Sequence, residues 1–266
     1  LRDRVKYTVM IDLSRLGDAA HRARILGYMA DPNWVTVDGR PLLFAGMGSA
    51  PLAAPVEALR ADAAQRGIAD PYVVYAGLGA QAYAPAFGDM RAAYGFDAVS
   101  GYTAGVSSAS GNPFSDLAAS ARATWDAIAE SGNAVVPTAM AGWDPRPRLE
   151  RPPYWGASGP NWYQEASGDE LADHFADAVG WASAHGSRAV IVYAWNEYDE
   201  GGWIAPTAAP PAGRQEGIAR GLSTSVLPGL TVEDVSIVEG DDGVATVEVP
   251  VVLSSPSASA VTVDVS

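Results

Sequence analysis

Three carboxylates and an asparagine fall within five positions at Asn196-Glu197-Tyr198-Asp199-Glu200, flanked by Trp195, Tyr198 and Trp203 and followed by Gly201-Gly202. Paired carboxyls are what acid–base chemistry at a glycosidic bond requires: one carries a proton for the leaving oxygen while the other acts as base or nucleophile. Aromatic side chains beside them offer flat apolar faces on which sugar rings can stack. Glu197 and Glu200 stand three apart. In an extended strand they would face opposite sides, but across a tight turn they converge, and the two glycines make such a turn. A gap of about 5–5.5 Å between the carboxyls suits retention of configuration and a wider one suits inversion. A solvated acidic loop is the plainer alternative; the interleaved aromatics favour a site.

The elements that must position these residues follow from hydrophobic periodicity. Residues 188–195 are rich in β-branched and aromatic types and read as a strand buried on both faces. Further strands are predicted over 5–11, 34–37, 42–45, 72–76, 98–102 and 134–138. A turn is predicted at Asp38-Gly39. Helices are predicted over 19–29, 54–66 (closed by Gly67), 115–130 (capped by Ser115) and 169–185. The alternation predicts a parallel α/β architecture of six strand–helix units, two short of a complete barrel. Asp12, Tyr102 and the corner Gly142-Trp143-Asp144 are each predicted at a strand's carboxyl end, so in a barrel they share one face with Glu197 and Glu200. Trp155, Trp162 and Tyr163, in the proline-rich loop between, could stack on sugars or pin that loop.

Composition excludes several classes. The chain has 266 residues, 48% of them hydrophobic, and a formal net charge of −14. A phosphate backbone would be repelled, so nucleic acid is not an expected partner. There are no cysteines, which removes disulfides, thiolate metal sites and cysteine nucleophiles. No apolar run has membrane-spanning length. His21, His174 and His185 sit in helical stretches without ligand-spaced partners, and no Gly-x-Ser-x-Gly occurs. Gly77-Leu78-Gly79-Ala80-Gln81-Ala82 resembles a dinucleotide fingerprint, but Asp97 precedes its strand where a ribose-binding acid should end one. At Pro228 the pattern changes to period-two alternation over 235–243 and 245–254, which predicts a partial β-sandwich module over 229–266, too short to fold alone. Both termini look cut, so the chain is expected to be a piece of a longer protein whose signal peptide is not in this piece.

Three motifs in order carry a resemblance. Asp31-Pro32-Asn33-Trp34-Val35-Thr36-Val37-Asp38-Gly39-Arg40-Pro41, then Gly142-Trp143-Asp144-Pro145-Arg146-Pro147-Arg148, then Ala194-Trp195-Asn196-Glu197-Tyr198-Asp199-Glu200-Gly201 resemble the glycoside hydrolase family 99-like group, which includes WbsX-type proteins of polysaccharide gene clusters. The resemblance implies a TIM-type (β/α)8 barrel of which residues 1–228 supply strands 3 to 8, the first two βα units being absent. It implies an endo-acting, retaining glycoside hydrolase without metal or organic cofactor, acting on an α-linked polysaccharide with a free 2-hydroxyl, such as a mannan. Glu197 would deprotonate that hydroxyl, which attacks the anomeric carbon; Glu200 would protonate the leaving oxygen and then activate water. Tyr198 stands where the family's Asn-Glu-Trp-x-Glu-Gly motif has tryptophan. Asp12, Tyr102, Trp143, Asp144, Trp195, Asn196, Tyr198 and Trp203 are the expected substrate contacts. Two other functions stay open: a non-catalytic carbohydrate-binding surface protein, and a glycosyltransferase, which would need a basic cluster for pyrophosphate. The tail resembles the opening of a Calx-beta repeat. A complete repeat could hold calcium through acids such as Glu239, Asp241 and Asp242, although a solvated acidic turn is the plainer reading. Such modules imply a secreted or surface protein with no membrane insertion.

Overall fold

The computed structural model describes residues 5–47, 50–77, 88–103, 110–153, 161–208 and 213–224, together with 230–232, 235, 249 and 251–253. Its central feature is a run of parallel strands in chain order. β1 (Met10–Asp12) pairs with β3 (Arg40–Met47), which pairs with β4 (Tyr72–Gly77), which pairs with β5 (Ala98–Gly101). A parallel bridge from Val99 to Val135 carries the order to the segment entering β7 (Thr138–Met140), and β7 pairs in parallel with β9 (Ile191–Tyr193). β2 (Thr36–Val37) forms the expected antiparallel hairpin with β3. Asp38 and Gly39 both take positive φ there, as an Asp-Gly turn requires. β6 (Ser110–Asn112) and β8 (Trp162–Tyr163) form a separate short parallel pair.

The helices are α1 (Ala19–Met29), α2 (Ala53–Gln65), α3 (Met90–Tyr94), α4 (Phe114–Glu130), α5 (Arg146–Glu150), α6 (Gly168–Ala184) and α7 (Arg214–Thr224). On α4, Phe114, Leu117, Ala121, Trp125 and Ile128 recur at helical spacing and are all buried. On α6, Ser167 and Glu170 form a capping box. Helix side chains and alternate strand residues (Leu43, Val73, Val99, Ala139) form one core. The opposite strand faces (Leu42, Phe44, Val74, Ala76, Ala98, Val136) form a second. Helices therefore cover one face of the sheet, while its other face is apolar from Met10 near one edge to Ile191 near the other.

Several expectations are corrected. The strand expected over 188–195 is only Ile191–Tyr193. Ile191 and Val192 are half-buried rather than buried on both faces, because β7 is its only ladder neighbour among the described residues. The strand expected over 5–11 runs to Asp12, which ends β1. Ser115 does not cap α4: the helix begins at Phe114, with Pro113 at the cap position, because Pro113 sets the entry and Phe114 goes to the core. Part of the loop after Asp144 is helical, as α5. The pattern of α7 is obscured by glycines that serve packing. A β-carbon at Gly217 would run into the Gly168 carbonyl, and one at Gly221 into the Ala172 carbonyl, so α6 and α7 touch through backbone. Among the described residues of the tail, β10 (Leu230–Val232) and β11 (Val251–Leu253) form one antiparallel pair, and the rest of the sandwich module expected there lies outside the described residues. Glu239, Asp241, Asp242, Trp155 and most of the Gly77–Ala82 stretch lie outside the described residues.

Asp97 has a structural task. It precedes β5, at the amino end of the sheet. Its buried carboxylate accepts from Arg40 at 2.8 and 2.9 Å, from Arg60 at 2.9 Å, from the Val73 N–H at 2.9 Å, and from Arg91. Burial pushes this carboxyl up, but the bonds from Arg40, Val73 and Arg60 outweigh it and hold it below the usual carboxylate range.

His174 is likewise a core group. It stacks on Trp125, and its Nε2 accepts the Met140 N–H at 3.0 Å, so the ring is neutral. Burial lowers its pKa to about 4. Because the unfolded chain, with an ordinary value of 6.5, takes up the proton first, this stabilisation is complete above pH 6.5. It is lost as pH falls towards 4, at about 1.4 kcal/mol per pH unit and about 3 kcal/mol in all. Urea unfolding of the native chain and of His174→Gln, whose amide can accept the same bond without titrating, should differ in slope over that window. Parallel pH dependence would remove the assignment.

Candidate active site

The site grows from the end of β9. Beyond Tyr193 the chain doubles back: Ala194 N–H donates to Gly202, Gly202 N–H to Glu197 at 3.1 Å, and Ile204 N–H to Ala194 at 3.0 Å. Tyr198–Glu200 is one turn of 3-10 helix that ends at Gly201 with φ of 70°. Such a helix has three residues per turn, so side chains at i and i+3 eclipse. Glu197 and Glu200 thereby come to one side, the convergence that their spacing requires. Gly142, just beyond β7, packs on this turn, and a β-carbon there would strike the Gly201 carbonyl. Asp144 N–H donates to the Glu200 carbonyl at 2.6 Å. Gly142→Ala should therefore push the two corners apart and cost at least the 1–3 kcal/mol typical of overpacking, measurable by chemical denaturation; an unchanged midpoint would show that the corners can yield.

The side chains meet on one arginine. Arg148, on α5, donates from Nη2 to Glu197 Oε2 at 3.0 Å, from Nε to Asp199 Oδ2 at 2.7 Å, and from Nη1 to Glu200 Oε1. One planar guanidinium thus holds a Glu197 oxygen and a Glu200 oxygen on its two terminal nitrogens. Glu200 is buried, and burial raises its pKa against the opposing pull of Arg148. The Arg148 bond holds the Asp199 carboxyl below its usual range, although burial raises it. Burial alone would lower the Arg148 guanidinium, but Asp199, Glu200 and Glu197 together outweigh it. Tyr102, after β5, meets Tyr193 edge-on with ring centroids 5.7 Å apart. Burial raises its hydroxyl's pKa, and the charges of Glu197 and Glu200 add to the effect.

Beside the carboxylates lies a cavity of about 330 Å³ walled by Trp143, Tyr163, Tyr198 and Trp203, with Gln164 and Glu165 also on its lining. Tyr198 and Trp203 lie with ring centroids 5.9 Å apart. The buried Trp143 Nε1 has no hydrogen-bond partner among the described residues. Behind Trp203, the buried Arg214 donates to the carbonyls of Trp203 at 2.6 Å and Ala141 at 2.9 Å, tying α7 to both corners of the site.

Of the sequence-predicted residues, Glu197, Glu200, Tyr102, Trp143, Asp144, Tyr198 and Trp203 are gathered here. Asp144 is engaged, its carboxylate taking two bonds of 2.7 Å from Arg146, which stacks on Trp162 at 3.5 Å. Asp12 is not gathered: it accepts the Ser14 N–H at the sheet's other edge. Trp195, 64% exposed, and the exposed Asn196 point to solvent instead of the cluster. Arg148 was missed as a site residue. The signal was present, since Pro145-Arg146-Pro147-Arg148 places two cations after one strand and three unmatched acids follow another.

A parallel α/β scaffold with an acidic, aromatic-walled site at its strands' carboxyl ends defines a class to which glycan-acting proteins belong. The chain belongs to the family described as glycosyltransferase WbsX, whose model matches residues 9–211. That span takes in β1 to β9 and every residue gathered at the site. No curated protein matches the chain.

Proposed function

We propose that the protein is a retaining glycoside hydrolase that cleaves an α-linked polysaccharide internally at a sugar with a free 2-hydroxyl, such as mannose. One observation carries the reading: Glu197 and Glu200 are held side by side on one guanidinium, next to an aromatic cavity. Glu197 takes the proton of the 2-hydroxyl, whose oxygen attacks the anomeric carbon. The glycosidic bond breaks, and Glu200 gives its proton to the leaving oxygen. Glu200 then takes a proton from water as that water's oxygen reaches the anomeric carbon, the 1,2-anhydro ring opens, and Glu197 returns its proton to the 2-oxygen. Two inversions give net retention. A raised Glu200 pKa supports the acid role. The cavity's aromatic walls suit stacking against a sugar ring.

The barrel belongs to the same proposal. A sheet apolar on both faces, with helices on one, covers its other face by closing on itself, and the edges of β1 and β9, which have no outer neighbour among the described residues, are where two further strands would enter. Action outside the cell belongs to the proposal through the sequence resemblance alone.

The family's description favours a second reading, sugar transfer. A nucleoside-diphosphate sugar would need cations, and those nearest the carboxylates are engaged: Arg148 with three carboxylates and Arg146 with Asp144. Incubation with α-mannans and bacterial exopolysaccharides, beside a panel of nucleotide sugars with glycan acceptors, separates the two. New reducing ends without a nucleotide sugar establish hydrolysis; release of nucleotide diphosphate only with an acceptor establishes transfer.

A further inference from the structure

Resting on the reading of Glu197 and Glu200 as the reacting pair, we propose that Arg148 is their positioning residue: it aligns the two carboxyls and must leave Glu200 before Glu200 can protonate a leaving oxygen. A guanidinium only donates and stays charged, so it favours Glu200 as the anion, whereas a general acid must be neutral at rest. The charge-assisted contact between Arg148 Nη1 and Glu200 Oε1 therefore opposes the chemistry while it persists. It also fills the space between the carboxyls, where the 2-hydroxyl and the glycosidic oxygen must sit.

Asp199 gives the guanidinium somewhere to go. It already accepts from Nε at 2.7 Å and Nη2 at 3.2 Å, and its side chain is 54% exposed against 8% for Glu200. A sugar entering between the glutamates would thus leave Arg148 parked on Asp199. Among the described residues, the charged and titratable groups around Glu200 are Arg148 from α5, Tyr102 from the end of β5, and Glu197 and Asp199 from its own turn. Once Arg148 withdraws, burial and those acids all favour the protonated carboxyl.

Carboxyl ¹³C NMR of the full chain labelled at glutamate tests this, with the Glu200 signal identified by its loss in Glu200→Gln. In Arg148→Gln the Glu200 midpoint should rise by more than about one pH unit, a tenfold change in proton affinity. In Asp199→Asn, which confines the guanidinium to the glutamates and removes a like charge, it should fall. Loss of a cation raises the midpoint and loss of an anion lowers it by charge alone, so the pH–rate limb is the readout that a merely structural ion pair would not move. An unmoved midpoint in folded Arg148→Gln overturns the proposal. Should that variant not fold, a midpoint in Asp199→Asn that does not fall overturns it. Where a glycan is cleaved, the basic limb of the pH–rate profile should rise with the midpoint in Arg148→Gln, and an unmoved limb likewise overturns the proposal. Opposed midpoint shifts in a protein that cleaves no glycan support the Arg148–Glu200 coupling while sinking the hydrolytic reading, so the two failures are told apart.

Discussion

Glu200→Gln should lower turnover of a cleaved glycan by about 10²- to 10⁴-fold, the range for removing a general acid, and leave its binding nearly unchanged. Glutamine matches glutamate in shape, and its amide oxygen can still accept from Arg148, so the turn should keep its form. The substitution removes the proton that must reach the leaving oxygen. Binding should be spared because Glu200 is 6% exposed and is not among the residues that line the aromatic-walled cavity. Burial keeps Glu200 protonated to higher pH than an ordinary glutamate, so the native profile should extend towards neutrality before its basic limb falls. Reducing-end release and calorimetric binding, run on the same glycan, check both halves. Native turnover in the variant would take Glu200 out of the mechanism.

The second large effect is on stability. Asp97→Ala should cost about 3–5 kcal/mol, the range for breaking a buried ion pair from one side, a large share of a typical domain's 5–15 kcal/mol. Arg40 and Arg60 are each about three-quarters buried, with side-chain exposures of 24% and 23%, and without Asp97 they would face each other with one carboxylate, Asp70, left to share. The Val73 N–H would lose its side-chain acceptor. The depressed Asp97 pKa fixes the sign with pH: its stabilisation is complete above the ordinary carboxylate value and is lost as pH falls through the lowered one. Denaturant unfolding at neutral pH measures the cost, and a loss under 1 kcal/mol would mean that the cluster is not a keystone of this end of the sheet.

What the sequence made legible was periodic or local. The apolar runs of β4 and β5, the Asp-Gly turn and the face of α4 all carry their signals in adjacent residues, and all are found. The convergence of Glu197 with Glu200 needed only the turn that Gly201 announces. What stayed hidden depends on distance in the chain. Arg148 and Glu200 are 52 residues apart, so no window contains both, and a Pro-Arg-Pro-Arg stretch looks like loop until its partners are known. α7 was obscured for a related reason: Gly217 and Gly221 are there for a helix met through tertiary packing. Asp12 shows that the end of a strand is also where a short acid finds a turn to cap.

The order of the sheet has a consequence for how the protein is made. Each parallel neighbour in β1-β3-β4-β5-β7-β9 is the next such strand along the chain, so as the ribosome delivers the polypeptide from its amino end, each strand arrives to find its partner already in place. Pairing between near neighbours closes short loops and keeps folding quick. Arg148 is synthesised before any of the acids that it will hold, and Arg214, which fastens both corners, comes after them all. The scaffold can therefore be largely built before the arginine and its three carboxylates come together.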